Sequence, residues 1–260
     1  MKTLFAALLV LCAAASAQTD AARDAQKPFD SFGDKIYETE WLARLDVMAV
    51  EMMNRPGAKA FIVAYGVPDR LPGWPLRRAN WARGVLTKGR GLDPSRVEVV
   101  YGGYRDEVSY EHWLMTGGER PPVPPFDFAA ALTREKAAYK FDQFSLYDPA
   151  YDYGYDGKYS QYLDARGRFE PVALALRHDP AARVLLVVYR SPKNPPGDDR
   201  RLAANLKRAA LTAHALAPGR VLARGGGRRD QRFVEVWLVP PGAPLPEPAP
   251  AARPARRGRR

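Results

Sequence analysis

One long internal duplication constrains this chain more than any other feature. Sliding the sequence along itself by 124 residues aligns 56–118 with 180–242, without a gap and with 21 identities in 63 positions. Average composition gives about four by chance. Pro56 meets Pro180, Tyr65 meets Tyr189, Pro72-Gly73 meets Pro196-Gly197, and Leu92, Pro94 and Arg96 meet Leu216, Pro218 and Arg220. Gly102-Gly103 meets Gly226-Gly227, and Trp113 meets Trp237. The copies also open alike, KPFDSF at 27 and KFDQF at 140, and about a dozen extra residues follow the second opening. A repeat this long is a domain rather than a solenoid unit. The joint, GGERPPVPPFD at 117–127, is too rich in proline for helix and favours a stiff extended linker.

Each copy reads as strand, helix, strand, helix, strand, strand. PFDSFG is a short first strand, and ETEWLARLDVMAVEMM places Leu42, Leu45, Ala49 and Met52 on one helical stripe. AKAFIVAYG has the length and continuous apolarity of a strand covered by helices. PLRRANWARGVLTK starts with Pro75 in a first helical turn. RVEVVYGGY and VSYEHWLM form a hairpin, in which Gly102-Gly103 marks a bulge or a close backbone approach. In the second copy Gly167 and Pro171 interrupt the first helix, which is expected to start near Glu170. The second helix carries a stripe of Leu202, Leu206, Ala209, Ala213 and Leu216. The fold expected is α/β (α+β): two tandem β-α-β-α-β-β domains, each a small mixed sheet with two helices on one face.

The first seventeen residues, MKTLFAALLVLCAAASA, have the form of a signal peptide. Lys2 precedes an apolar stretch too short to span a bilayer, and Ala15-Ser16-Ala17 is an acceptable cleavage site. Cys12 is the one cysteine and leaves with it, so no disulfide or thiolate metal site is expected in the mature chain. An exported chain without disulfides suits a bacterial periplasm. The net charge of +11 favours anionic partners.

FDSFG, the helix before AFIVAYG, RRANWARGVL and GLDPSRVEVVYGG together resemble the OmpA-like periplasmic domain, over 27–116 and more faintly over 140–240. Arg105 after GGY, and EVWLVP at 235–240, are similar to a subgroup of exported domains of that kind. The resemblance implies non-covalent capture of peptidoglycan through the diaminopimelate of its stem peptide. An aspartate after the second strand takes the ammonium, and an arginine opening the second helix takes the carboxylate. Arg78, with Arg77 beside it, matches that arginine. The aspartate position falls near Gly66-Val67, and Asp69 lies two residues later. In the second copy Leu202 stands at the arginine position, with Arg200 and Arg201 adjacent, so neither copy has the full pair.

Each of these residues also has a plainer reading. Arg78 and Arg77 suit a solvated helix start, Asp69 a turn between prolines, and Trp113 and Trp237 core packing by alternation. The insertion LYDPAYDYGYDGKYSQYLD at 146–164 interleaves Tyr and Asp in a way that would suit a sugar or a cation, but its spacing matches no calcium loop. A surface loop is the simpler expectation. From 241 the proline-alanine tail is expected to be disordered, ending in Arg253, Arg256, Arg257, Arg259 and Arg260, which suit anionic lipid or polymer. His112, His178 and His214 stand alone in sequence, and no nucleophile elbow or phosphate loop is present. No cofactor, metal or catalysis is therefore expected.

These readings divide the chain into signal peptide 1–17, domain 27–118, linker 119–139, domain 140–240 and tail 241–260. Its expected role is that of an exported, non-catalytic envelope protein, periplasmic or associated with the outer membrane, that binds peptidoglycan. The alternative is an envelope protein–protein interaction scaffold that has lost wall binding. A third reading anchors the chain to anionic lipid by its tail. Nucleic acid is not an expected partner of an exported chain.

Overall fold

The computed structural model describes residues 27–68, 70–124, 126, 136–146 and 163–249. The signal peptide, Asp69, nearly all of the Tyr/Asp-rich insertion and the five tail arginines lie outside the described residues.

The first unit runs β1 (Asp30–Gly33), α1 (Glu38–Asn54), β2 (Lys59–Gly66), α2 (Gly73–Gly84), β3 (Val97–Tyr104) and β4 (Ser109–Met115). A π-helical turn, Val85–Gly89, extends α2. The second unit repeats the plan with β5 (Tyr139–Ser145), α3 (Ala165–His178), β6 (Arg183–Arg190), α4 (Asp198–His214), β7 (Val221–Arg228) and β8 (Phe233–Val239). Each unit has a four-stranded mixed sheet, in the order β1-β4-β2-β3 and β5-β8-β6-β7. The β2–β3 and β6–β7 pairs are parallel, as a helical crossover requires, and the remaining pairs are antiparallel. Among the described residues no helix is long and apolar enough to cross a membrane.

Alternation along the strands sorts the side chains between two faces. Ala60, Ile62 and Ala64 of β2 meet Trp41, Leu45, Met48, Ala49 and Met52 of α1 and Ala79, Trp81 and Ala82 of α2. Leu42, expected on the buried stripe of α1, is only half-buried; Trp41 and Met48 complete the stripe instead. Phe61, Val63 and Tyr65 point to the opposite face and pack with Trp113 and Met115. The second unit repeats that face with Leu185, Val187, Tyr189 and Val239. The central strands are thus apolar throughout because both of their faces are covered.

In the second unit α3 begins at Ala165 rather than near Glu170, because the Asp164 carboxylate caps it by accepting from the Gly167 N–H at 2.9 Å. Gly167 then falls in the first turn, where helix propensity matters least, and Pro171 sits buried inside the helix. The glycine pairs resolve into two separate requirements. A Cβ at Gly102 would lie 2.2 Å from the Tyr65 ring, and one at Gly226 would lie 2.5 Å from the Tyr189 ring. Gly103 and Gly227 have φ of 92° and 88°, and each follows a register shift in the β2–β3 or β6–β7 pair. The pair is both a bulge and a close approach.

The two units are docked. Helix α2 lies against α3 and β5, Leu76 enters the core of the second unit, and Leu163 enters the core of the first. The Phe141 ring fills the space where a side chain at Gly73 would stand. Lys88 bridges to Asp164 across the same junction.

Candidate functional site

The site expected from the sequence is the start of the second helix of each unit. In the first unit Arg77 is buried and turned into the other unit. Its Nε donates to Asp142 Oδ2 at 2.7 Å, and a terminal nitrogen donates to the Gln143 carbonyl at 3.0 Å. The guanidinium also sits 5.0 Å from the Phe144 ring. Arg78 is buried as well, its guanidinium 4.8 Å from the Trp41 ring and 5.4 Å from the Trp74 ring. The expectation of a solvated helix start is corrected: Trp41 on α1, Trp74 on α2 and Asp142 of the second unit enclose both arginines. The structure brings Arg77 and Arg78 together in sequence only, since they face different partners.

In the second unit the corresponding helix start holds its own carboxylates. Asp198 and Asp199 are buried at the N-terminus of α4, where the peptide N–H groups favour negative charge. Asp198 pairs with Arg201 at 2.6 Å and with Arg232 at 2.9 Å, while Asp199 accepts from the Gly227 N–H at 3.0 Å. Arg200 and Arg201 are exposed. The anion position at this helix start is filled from within the chain.

The feature that the two units do share is on the opposite sheet face. In the first, Tyr65 OH and the Trp113 indole N–H both donate to Glu111 Oε2, at 3.1 and 2.9 Å. Arg105 donates to Glu111 Oε1 at 2.6 Å and lies flat on Tyr65, 3.3 Å from the ring centre. In the second, Tyr189, Trp237 and Arg229 make the same bonds to Glu235, at 3.0, 3.2 and 3.0 Å, and Arg229 stacks on Tyr189 at 3.8 Å. Lys140 adds a fourth donor to Glu235 at 2.9 Å. Burial pushes the Glu235 carboxyl up, but the bond and charge of Lys140, with Trp237 and Arg229, outweigh it and hold it below its ordinary value. Burial, with the Glu111 charge next to it, pushes the Tyr65 phenol up to about 12.

Each cluster lies under a proline-rich strap. After β4 the chain turns at Gly118, φ 83°, and crosses its own sheet so that Val123 packs on the Phe61, Val63, Tyr65, Trp113 face. After β8 it turns at Gly242, φ 78°, and Ala243 packs on Leu185, Val187 and Tyr189. Ala249 is clamped at both ends of its peptide: its N–H donates to Tyr189 OH at 3.2 Å, and its carbonyl accepts from Arg229 at 2.9 and 3.2 Å. Residues 119–124 and 241–249 therefore lie against their sheets; the rest of the expected tail, 250–260, and 125 and 127–135 of the expected linker lie outside the described residues. Trp113, expected as core, is buried and Trp237 half-buried against its sheet, and both also serve a polar cluster. The signal for this site lay in the repeat itself, since all four cluster positions are identical at the 124-residue offset.

A cleft of about 420 Å³ opens between the units, lined by Leu76, Arg83, Tyr101, Glu170, Leu174 and Arg177 among others. Glu170 and Arg177 pair with each other at 2.9 Å. No family model and no curated protein matches the chain. What the fold and these sites define is a docked pair of mixed-sheet α/β units, each closed on one face by helices and on the other by a proline-rich strap.

Proposed function

We propose that this chain is an exported, non-catalytic cell-envelope protein that works as a protein–protein interaction module rather than by capturing peptidoglycan. The observation that carries this reading is the state of the two helix starts at which a stem peptide would be held. In the first unit Arg77 is spent on Asp142 and Arg78 is enclosed by Trp41 and Trp74; in the second Asp198 and Asp199 occupy the place of a ligand carboxylate. A bound carboxylate would have to open the Trp41–Trp74 enclosure of Arg78 or break the Arg77–Asp142 pair in one unit, and would meet like charge in the other. Export itself rests on the first seventeen residues, and the envelope assignment on the resemblance.

Co-sedimentation with purified peptidoglycan sacculi tests the reading, with wild type, Arg78→Ala and Arg201→Ala at low and physiological salt. The expected result is weak sedimentation that salt abolishes and that both variants share, as for a basic chain on an anionic polymer. Salt-resistant sedimentation that is lost in the folded Arg78→Ala or Arg201→Ala protein would overturn it.

A further inference from the structure

We propose that the strapped face of the second unit is a peptide-binding groove, and that residues 241–249 are its resident ligand, exchangeable for a proline-rich extended segment of a partner protein. The proposal rests on the interaction-module reading above and names the partner's chemistry.

Three observations carry it. First, the groove already has an occupant: in both units the chain after the last strand is proline-rich and lies on this face, and the two straps share Gly118/Gly242, Pro122/Pro246 and Pro124/Pro248 at the 124-residue offset. Second, the recognition is of backbone. Tyr189 and Arg229 hold the N–H and the carbonyl of one residue, while Glu235 holds both Tyr189 and Arg229 in place. A clamp of this kind selects an extended chain, and a preformed proline-rich one has little ordering entropy left to lose. Third, the hold is light. Ala243 is the one buried residue of 241–249, and Leu245 remains 38% exposed. The four frame residues are also identical in the two copies, whereas Arg78 at the helix start corresponds to Leu202 in the second.

The strap competes from within, at an effective concentration on the order of millimolar. The test is NMR titration of the full isotope-labelled chain with an unlabelled peptide of residues 240–249, PPGAPLPEPA, and with a control in which its prolines are alanine. At several millimolar the proline peptide is expected to release the Leu245 amide signal, and in the wild type the Ala249 amide signal with it, while the Trp237 indole signal keeps its bound position. Ala249→Pro removes the N–H given to Tyr189 without touching the folded core. It is expected to lower the concentration needed by about five-fold, the worth of one ordinary hydrogen bond. No release in either protein, or equal release by the control peptide, would overturn the proposal. Failure here leaves the sacculus result untouched, and arginine-dependent sacculus binding would overturn the functional reading whatever the strap does.

Discussion

Removing the charge of Arg77 should loosen the junction of the two units. The side chains of Arg77 and Asp142 are only 10% and 3% exposed, and they meet at 2.7 Å. Stripping one partner from a buried pair costs about 3–5 kcal/mol, because the remaining charge is left without its counter-ion. Asp142 would keep one bond, from the Gln143 N–H at 2.8 Å, which puts Arg77→Met near the lower end, about 3 kcal/mol. For a chain of this length that is roughly 6–12 °C in melting temperature. Asp142→Asn should cost less, about 2 kcal/mol, since Arg77 retains the Gln143 carbonyl and the Phe144 ring. The double variant leaves no orphaned charge and should fall short of the sum by about 2 kcal/mol. Urea unfolding followed by tryptophan emission reports mainly the first unit, which holds four of the five tryptophans. Two single losses under about 1 kcal/mol that simply add would refute the reasoning, since that is the behaviour of a solvated pair.

His112 is fully buried, its Nε2 accepting from the Trp41 indole at 3.3 Å, and burial lowers its pKa to about 4, against the pull of Asp30 and with the push of Arg44. Its folded value lies below its unfolded 6.5, so the stability it permits is full above pH 6.5 and declines by about 3 kcal/mol as pH falls to 4. Urea midpoints across that range should flatten in His112→Val, the residue that the second copy carries at Val236. Glu235, held below its ordinary value, loses its contribution lower, from about pH 4.5 downward through its folded value, and Glu235→Gln should remove that acid-sensitive step. Gly102→Ala and Gly226→Ala should each cost about 1–3 kcal/mol by driving a Cβ into a tyrosine ring, read as a fall in melting temperature. Unchanged melting in both would mean that the rings move aside freely.

The sequence by itself determined the two-unit plan. A gapless 124-residue repeat and an alternation of strand and helix periods are local and one-dimensional, so they survive without any contact being known. Element order and the covered central strands follow from them, and so does the need for a glycine pair before each last strand. The tertiary structure decided what each polar residue was for. Arg77 and Arg78 stand side by side in a run that looks solvated, yet Asp142 lies 65 positions away from Arg77 and Trp41 lies on another helix. Periodicity carries no information about such partners. Nothing in the sequence beyond their identity in the repeat singled out Glu111 and Glu235, whose partners Tyr65, Arg105, Tyr189 and Arg229 come from other strands and turns. Burial of a charge depends on what the distant chain brings to it, and that was legible only once the sheets were folded and their proline-rich ends laid down.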